Sequence, residues 1–431
     1  MGRLHVTGGR VLGPDAAIER ADVVVDVESG TIEAVEPTTD PGDEPQLDAT
    51  GGLVIPGLVN AHSHVAMTLL RGHADDKPLH AWLEEDIFPV EAALTKDDVA
   101  AGARLGLLEA IKGGTTAVCD MYFHEGVIAD AVEAAGVRAT LGYGVITLGK
   151  DDAGIEAEID AAVSFVEDHD GRGGGRIRGA LMPHAVRTVA PSVLERIADL
   201  ARERDLPVHI HANETRDDVE HVIERDGRRP VETLAACGVL DAETFVAHGV
   251  HLDEVEIEHL AETGTGVAHC PTANLKLASG IAPVESLLRA GVPTGIGTDG
   301  PASNNDLDMF EELRLAALLA KFREDDARVV PAGRAVDLAT GAGAALLGLE
   351  RYGLEPGAPA DLAVVDLGAP HYAPEHDLLS HLAYVAKAAD VRHTVCDGRV
   401  LMRDRSVTTL DEAAVRERAA RRARALIDRA G

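Results

Sequence analysis

Residues 54 to 72, VIPGLVNAHSHVAMTLLRG, pass from an apolar stretch through Pro-Gly into His62 and His64, separated by one serine. A spacing of two in a strand puts both imidazoles on the same face. Such a pair is half of a metal clamp, or else two histidines of an ordinary core. Further along, HIHANE brings His209 and His211 at the same spacing with Glu214 three residues on, FVAHGVHL brings His248, LMPHAV brings His184 and GIGTDG brings Asp299. Three imidazoles and a carboxylate are the donor set of a catalytic zinc-type site that keeps one position for water. Of the HIHANE pair, His211 is the expected ligand because it stands at the strand end, and His209 is expected to be buried behind it.

A bound divalent ion lowers the pKa of water toward neutrality and so supplies a nucleophile. Asp299 can take a proton from that water, and Glu214 can deliver one to a ring nitrogen or leaving group. His248 would stabilise the hydroxide and the charge that develops on attack. No lysine occurs between Lys150 and Lys276, so the carboxylated lysine that bridges two ions in barrels of this kind is missing. A single divalent ion is expected, with Zn2+ the first choice.

Such a constellation needs elements that bring distant residues together at one end. Eight buried-strand candidates alternate with helical segments: LVIPGLVNAH (53–62), TTAVCD (115–120), RATLGYGV (138–145), IRGALMPH (177–184), PVHIH (207–211), TFVAH (244–248), GVAHC (266–270) and PTGIGTD (293–299). Helices are predicted over 97–112, 153–167, 191–204 and 309–322. This alternation predicts an α/β fold built as a (β/α)8 TIM-like barrel, whose chemistry sits at the carboxyl ends of the strands. Six of the eight candidates finish in His or Asp. An open doubly wound sheet is the alternative, but no GxGxxG turn follows the first strand. The first 50 residues read as short β-pieces in one small antiparallel sheet, and 357–367 and 391–404 share that character. The ends are therefore expected to form a small discontinuous β-sandwich domain, residues 1–52 and 353–431, around a catalytic domain at 53–352. GRGGGR (171–176) is expected to be a surface loop, since no GK[ST] follows it. The Arg- and Ala-rich last twenty residues should form a helix with a solvated charged face.

The chain has 431 residues, with 40 Lys and Arg against 73 Asp and Glu, for a formal net charge of -33. That balance argues against a nucleic acid or an anionic membrane as partner and leaves a small molecule as the default. Only seven of the 40 basic residues are lysines, and this poverty on an acidic background points to adaptation to high salt, where repulsion is screened. The four cysteines are widely spaced with no CxxC, so neither a disulfide framework nor a zinc ribbon is suggested. With no signal-like start and no apolar run of membrane-spanning length, a cytoplasmic location is expected.

Taken in order, PGLVNAHSHVAMTLLRG, PVEAAL, HIHANE, FVAHGVHL, HCPTANLKLASG and GIGTDGPASNNDLDMFEE resemble the blocks of the amidohydrolase superfamily. Within it they are most similar to the 5-methylthioadenosine/S-adenosylhomocysteine deaminase family. The resemblance implies that His62, His64, His211 and Asp299 bind the metal, that Glu214 shuttles the proton, and that His248 assists. It further implies that Glu91 binds ribose hydroxyls, that His184 and Ser303 contact substrate, that Trp82 belongs to a lid over the base, and that the protein is a homo-oligomer. The implied activity is hydrolytic deamination of a 5′-modified adenosine (5′-methylthioadenosine, S-adenosylhomocysteine or 5′-deoxyadenosine) to the inosine analogue and ammonia through a metal-bound hydroxide.

A guanine-type or triazine-type aminohydrolase is the rival, discriminated by Glu91, because a free base has no ribose diol. An inactive binding barrel would be expected to have lost ligands, and none is missing here. Two departures from the family pattern concern the 5′ end of the substrate. Tyr143-Gly144-Val145-Ile146 stands where many members carry an arginine, and His184-Ala185-Val186-Arg187-Thr188 replaces a HAPYT-like run. Arg187 either supplies the lost cation or salt-bridges on the surface.

Overall fold

The computed structural model describes residues 2–431. Its centre is made of parallel strands that are buried along nearly their whole length, as near-continuous apolar runs require when both faces are covered. Leu58–Ser63, Thr115–Tyr122, Arg138–Val145 and Ile177–Gly179 form one parallel sheet, with Met182–Pro183 also pairing to Arg138–Val145. Val208–Ala212, Thr244–His248, Gly266–His269 and Thr294–Ile296 form a second. Isolated bridges join the two on both sides: Leu181 to Val208 and Ala185 to His211 at one junction, Ser63 to Asp299 at the other. The predicted helices are present as Lys96–Lys112, Asp152–His169, Pro191–Arg204 and Met309–Glu324.

The run 53–62 is not one strand. Gly52–Pro56 pairs antiparallel with Leu362–Asp366 and parallel with Arg10–Leu12, and the chain then changes sheets at Gly57 to begin Leu58–Ser63. A Cβ at position 57 would collide with the Thr116 side chain, so only glycine allows the crossing. The break expected between residues 52 and 53 therefore falls inside a strand, and the change of sheet comes five residues later.

The ends of the chain also differ from the single antiparallel sheet expected of the first 50 residues. Thr31–Glu36, Asp22–Asp26, Arg3–Thr7 and Gln46–Asp48 make a four-stranded sheet whose last pairing is parallel. Arg10–Leu12 and Ile18–Arg20 instead join a seven-stranded sheet containing Gly52–Pro56 and the late strands Leu362–Asp366, Val391–Cys396, Arg399–Arg403 and Ser406–Val407. One apolar cluster takes Val6, Val23 and Val25 from the first sheet and Val54, Leu362, Val364 and Val395 from the second.

GRGGGR is a tight turn rather than an open loop. Gly173 and Gly174 are left-handed at φ 64° and 73°, Arg172 pairs with Asp130 and Glu133, and Arg176 pairs with Asp397. The final helix, Glu412–Ala430, is less solvated than expected. Its Arg422 and Arg429 reach the carboxylate of Asp98, which is fully buried and caps Lys96–Lys112 together with Thr95. A carboxylate taken out of water in this way persists only because the cations come with it. Among the described residues no helix is long and apolar enough to cross a membrane.

Candidate metal centre and substrate cleft

Leu58–Ser63 delivers His62 fully buried at its carboxyl end, with His64 just beyond it. Val208–Ala212 delivers His211, Thr244–His248 delivers His248, and the turn after Thr294–Ile296 delivers Asp299. Ligand atoms of His62, His211, His248 and Asp299 all lie within 4.8 Å of one another. His64 Nε2 lies 3.2 Å from Asp299 Oδ1, and its ring stacks on that of His211 at 5.5 Å. Three of the four expected ligands, His62, His211 and Asp299, thus group with His248, and the fourth, His64, meets the same carboxylate without belonging to that group. His248 and Asp299 both hold positive φ, 73° and 61°, a conformation that costs a side-chain-bearing residue and that surrounding structure must impose.

Each imidazole is turned by a partner on its Nδ1. His64 Nδ1 donates to the Met121 carbonyl, His211 Nδ1 to the His184 carbonyl, and His248 Nδ1 to Asn274 Oδ1 at 2.9 Å. His62 is set by a relay: His209 Nδ1 donates to the Phe245 carbonyl at 3.0 Å, so neutral His209 offers Nε2 to the His62 Nδ1–H at 2.8 Å. All four rings therefore aim an Nε2 lone pair into the cluster, the orientation that outer partners give to metal-binding histidines. His62 Nε2 is buried without a hydrogen-bond partner, a costly state for a polar atom unless a ligand meets it. The donor set fits a divalent ion that accepts imidazole and carboxylate.

Burial pushes His62 down to about 3 and holds His209 and His211 well below the ordinary imidazole value. For His64 burial also works downward, but the facing Asp299 carboxylate wins and raises it to about 9. Since Nδ1 already donates to a carbonyl, the titrating atom is Nε2, and a proton and a cation compete for the same lone pair. Asp299 is held well below the usual carboxylate range: burial opposes this, and the His62 and His64 imidazoles overcome it. Ser303 Oγ donates to its other oxygen at 2.5 Å, so this hydroxyl serves Asp299 even though the residue lines the cleft. Ser63 does more than set a spacing, because its hydroxyl donates to the Cys119 carbonyl at 2.7 Å and ties the neighbouring strand.

Above the cluster opens a cleft lined by His64, Trp82, Glu91, His184, Glu214 and Asp299 among others. Glu214 is buried, and burial followed by the charges of Asp218 and Asp299 raises its carboxyl well above the ordinary value. Its Oε2 lies 3.7 Å from His248 Nε2. Glu91 accepts a hydrogen bond from Tyr122 Oη at 2.7 Å, and burial raises it to about 7. His184, lowered by burial to about 4, is a neutral ring whose Nδ1 pairs with Thr188 Oγ1 at 2.9 Å. Trp82 is 3 % exposed and spends its indole N–H on the Ala74 carbonyl at 3.1 Å, which fixes the segment over the cleft.

Of the two residues left open by the sequence, Tyr143 does not line the cleft. It donates to Glu158 at 3.1 Å on the helix side. Arg187 does line it. Residues that sequence reasoning passed over are the outer partners, namely the Met121, His184 and Phe245 carbonyls together with Asn274 and Tyr122. Of these only Asn274, inside HCPTANLKLASG, carried a side-chain signal.

The pattern of the Amidohydrolase family matches residues 53–401. The chain belongs to that family. A 5-methylthioadenosine/S-adenosylhomocysteine deaminase of Haloarcula marismortui is 58% identical over 100% of both chains. One of Natronomonas pharaonis is 54% identical, covering 100% of this chain and 99% of its own. Among solved amidohydrolase relatives, an adenosine deaminase from Xanthomonas campestris with bound zinc superposes with a TM-score of 0.92 at 37% identity, covering 99% of this chain and 98% of that one. Atrazine chlorohydrolase TrzN from Arthrobacter aurescens TC1, complexed with zinc, gives 0.89 at 25% identity, with 97% of this chain and 100% of that one covered.

Proposed function

We propose that this amidohydrolase is a zinc-dependent deaminase of 5′-modified adenosines, acting on 5′-methylthioadenosine, S-adenosylhomocysteine or 5′-deoxyadenosine. The observation that carries the reading is the meeting, in one cleft, of the buried Glu214 carboxyl, raised well above its ordinary value, and Asp299, held well below its own, beside a metal-fitting imidazole cluster. Two carboxyl groups with opposed proton affinities are an acid and a base already assigned. His62, His64, His211 and Asp299 would hold the ion, with His248 beside them. When bound it supplies the Lewis acidity that makes water nucleophilic near neutral pH.

The chain's own residues do the rest. Asp299 accepts a proton from the water that adds to C6 of adenine, and Glu214 gives its proton to ring nitrogen N1. Asp299 passes its proton to the amino group, ammonia leaves as the C6–N bond breaks, and the proton of the C6 hydroxyl returns to Glu214 as the carbonyl forms, leaving N1 protonated in the product. His248, neutral because burial depresses it and donating through Nδ1 to Asn274, offers its Nε2 lone pair to the hydroxyl that forms at C6. Glu91 accepts from the ribose hydroxyls, His184 contacts the substrate, and Trp82 closes over the base.

The bridges at Ala185–His211 and Ser63–Asp299 support closure of the two parallel sheets into an eight-stranded barrel. The apolar cluster shared by the terminal sheets supports a β-sandwich made from both ends, with 1–52 and 353–431 flanking the catalytic 53–352 apart from the strand that crosses at Gly57.

The test is incubation of the zinc-loaded protein with the three nucleosides and adenosine, following ammonia and the loss of adenine absorbance. Ammonia release is expected, and its absence from all four would overturn the reading. Glu91→Gln separates this reading from a triazine- or guanine-type activity: kcat/KM on the nucleoside should drop roughly tenfold or more, the worth of a charged hydrogen bond. An unaltered value would remove the ribose from the substrate.

A further inference from the structure

The outer end of the cleft carries a group of charges that the deamination itself does not use. Arg187 Nη1 donates to Asp217 Oδ2 at 2.8 Å and lies 3.7 Å from Asp218 Oδ1. His80, from the segment that also carries Trp82 and Glu91, places Nε2 3.1 Å from Asp217 Oδ2 and 3.2 Å from Asp218 Oδ1. Arg187, His80 and Asp218 line the cleft. With His80 protonated, two cations face two carboxylates, so this group of four carries no net charge of its own although the protein carries a formal -33.

Arg187 is also held ready. The bridge from Ala185 to His211 roots its loop on the strand that carries a ligand. Arg225 then grips the loop from outside, donating to the carbonyls of Val186 at 2.9 Å, Arg187 at 3.1 Å and Val189 at 3.4 Å. Of the Arg187 guanidinium only Nη1 has a partner among the described residues. Nη2 and Nε remain as a planar fork, the geometry that receives a carboxylate through two parallel hydrogen bonds. Ile146, Leu148 and Phe123 give the cleft an apolar wall, and Glu84 is a further exposed carboxylate on its lining.

We infer that Arg187, with Asp217 and Asp218, is the specificity-determining site for a zwitterionic α-amino-acid tail on the substrate's 5′ sulfur. The inference rests on the proposed deaminase reading. The tail's carboxylate meets the free fork of Arg187, and its ammonium meets Asp217 and Asp218, so the zwitterion brings one charge of each sign to a partner of the other and no charge is left uncompensated. A 5′-methylthio group reaches only the apolar wall and draws nothing from these residues. The role falls to the loop after the fourth strand, because the third strand offers Tyr143, which points to Glu158.

The experiment measures kcat/KM of the zinc-loaded protein and its Arg187→Met and Asp217→Asn variants on S-adenosylhomocysteine and 5′-methylthioadenosine in parallel. For Arg187→Met the ratio of the two values should fall at least tenfold against S-adenosylhomocysteine, through KM. For Asp217→Asn it should fall severalfold in the same direction. Equal losses on both nucleosides, an unchanged ratio, or a wild-type protein that deaminates 5′-methylthioadenosine but not S-adenosylhomocysteine would each overturn the inference while leaving the deaminase standing. Failure on both nucleosides and on adenosine would remove the deaminase reading and this inference with it.

Discussion

The floor and the mouth of the cleft are held by different means. At the floor, every imidazole of the cluster is fixed through Nδ1 by a backbone carbonyl or a buried side chain, and His62 and His248 are at most 1 % exposed. At the mouth, Arg187 and Asp217 are tied by an ion pair whose carboxylate side chain is 64 % exposed. Buried partners of fixed tautomer leave a site no freedom, whereas exposed pairs contribute little and exchange readily. The reaction is thereby separated from the choice of substrate: the floor can stay the same while the mouth is rebuilt.

That contrast breaks first at the carboxylate all the ligands share. Asp299→Asn loses both a ligand and the base, and activity should fall by about 10⁴ or more, with zinc content measured by metal analysis falling as well. Glu214→Gln removes only the acid. Here kcat should fall by about 10²–10⁴ with the zinc retained, and loss of metal instead would make Glu214 part of the cluster.

His209 tests whether the relay behind the floor matters. His209→Leu leaves every ligand in place but frees the His62 ring, and affinity for zinc in a chelator competition should weaken about 10–100-fold. The smallest effect concerns the brace under Asp299. Glu312 is fully buried, accepts from Asn304 Nδ2 at 2.6 Å and the Thr272 amide at 3.2 Å, and is raised by burial to about 8 from its ordinary value of 4.5. The folded protein thus holds a proton that the unfolded chain releases. This stabilisation is complete below about 4.5 and is lost as pH rises to about 8. Glu312→Gln should flatten that fall, changing the Tm difference between the two ends by about 2–4 °C. An unaltered Tm profile would show that another group carries the dependence.

The floor was largely legible in the sequence and the mouth was not. His62, His64, His211, His248 and Asp299 announce themselves because side chains of special chemistry recur at strand ends, where a barrel gathers them. What turns them was hidden, since a carbonyl at Met121 or Phe245 has the same chemistry as any other. Arg187 could be seen but not assigned, because Asp217, its partner, is thirty residues away. Likewise the helix after residue 411 read as solvated because Asp98, 324 residues before Arg422, gives no local sign of being buried beneath it. Gly57 shows a third limit: its strand pattern runs on unbroken, and only the close approach of Thr116 reveals that two sheets meet there.

The crossing at Gly57 also sets an order of assembly. The strand that leads into His62 lies between Arg10–Leu12 and Leu362–Asp366, so its inner edge stays open until the ribosome has made most of the polypeptide. Asp98 waits longer still for Arg422 and Arg429. A nascent chain stalled before residue 362 would carry all five residues of the cluster while the strand that leads into the first two still lacked one of its two neighbours.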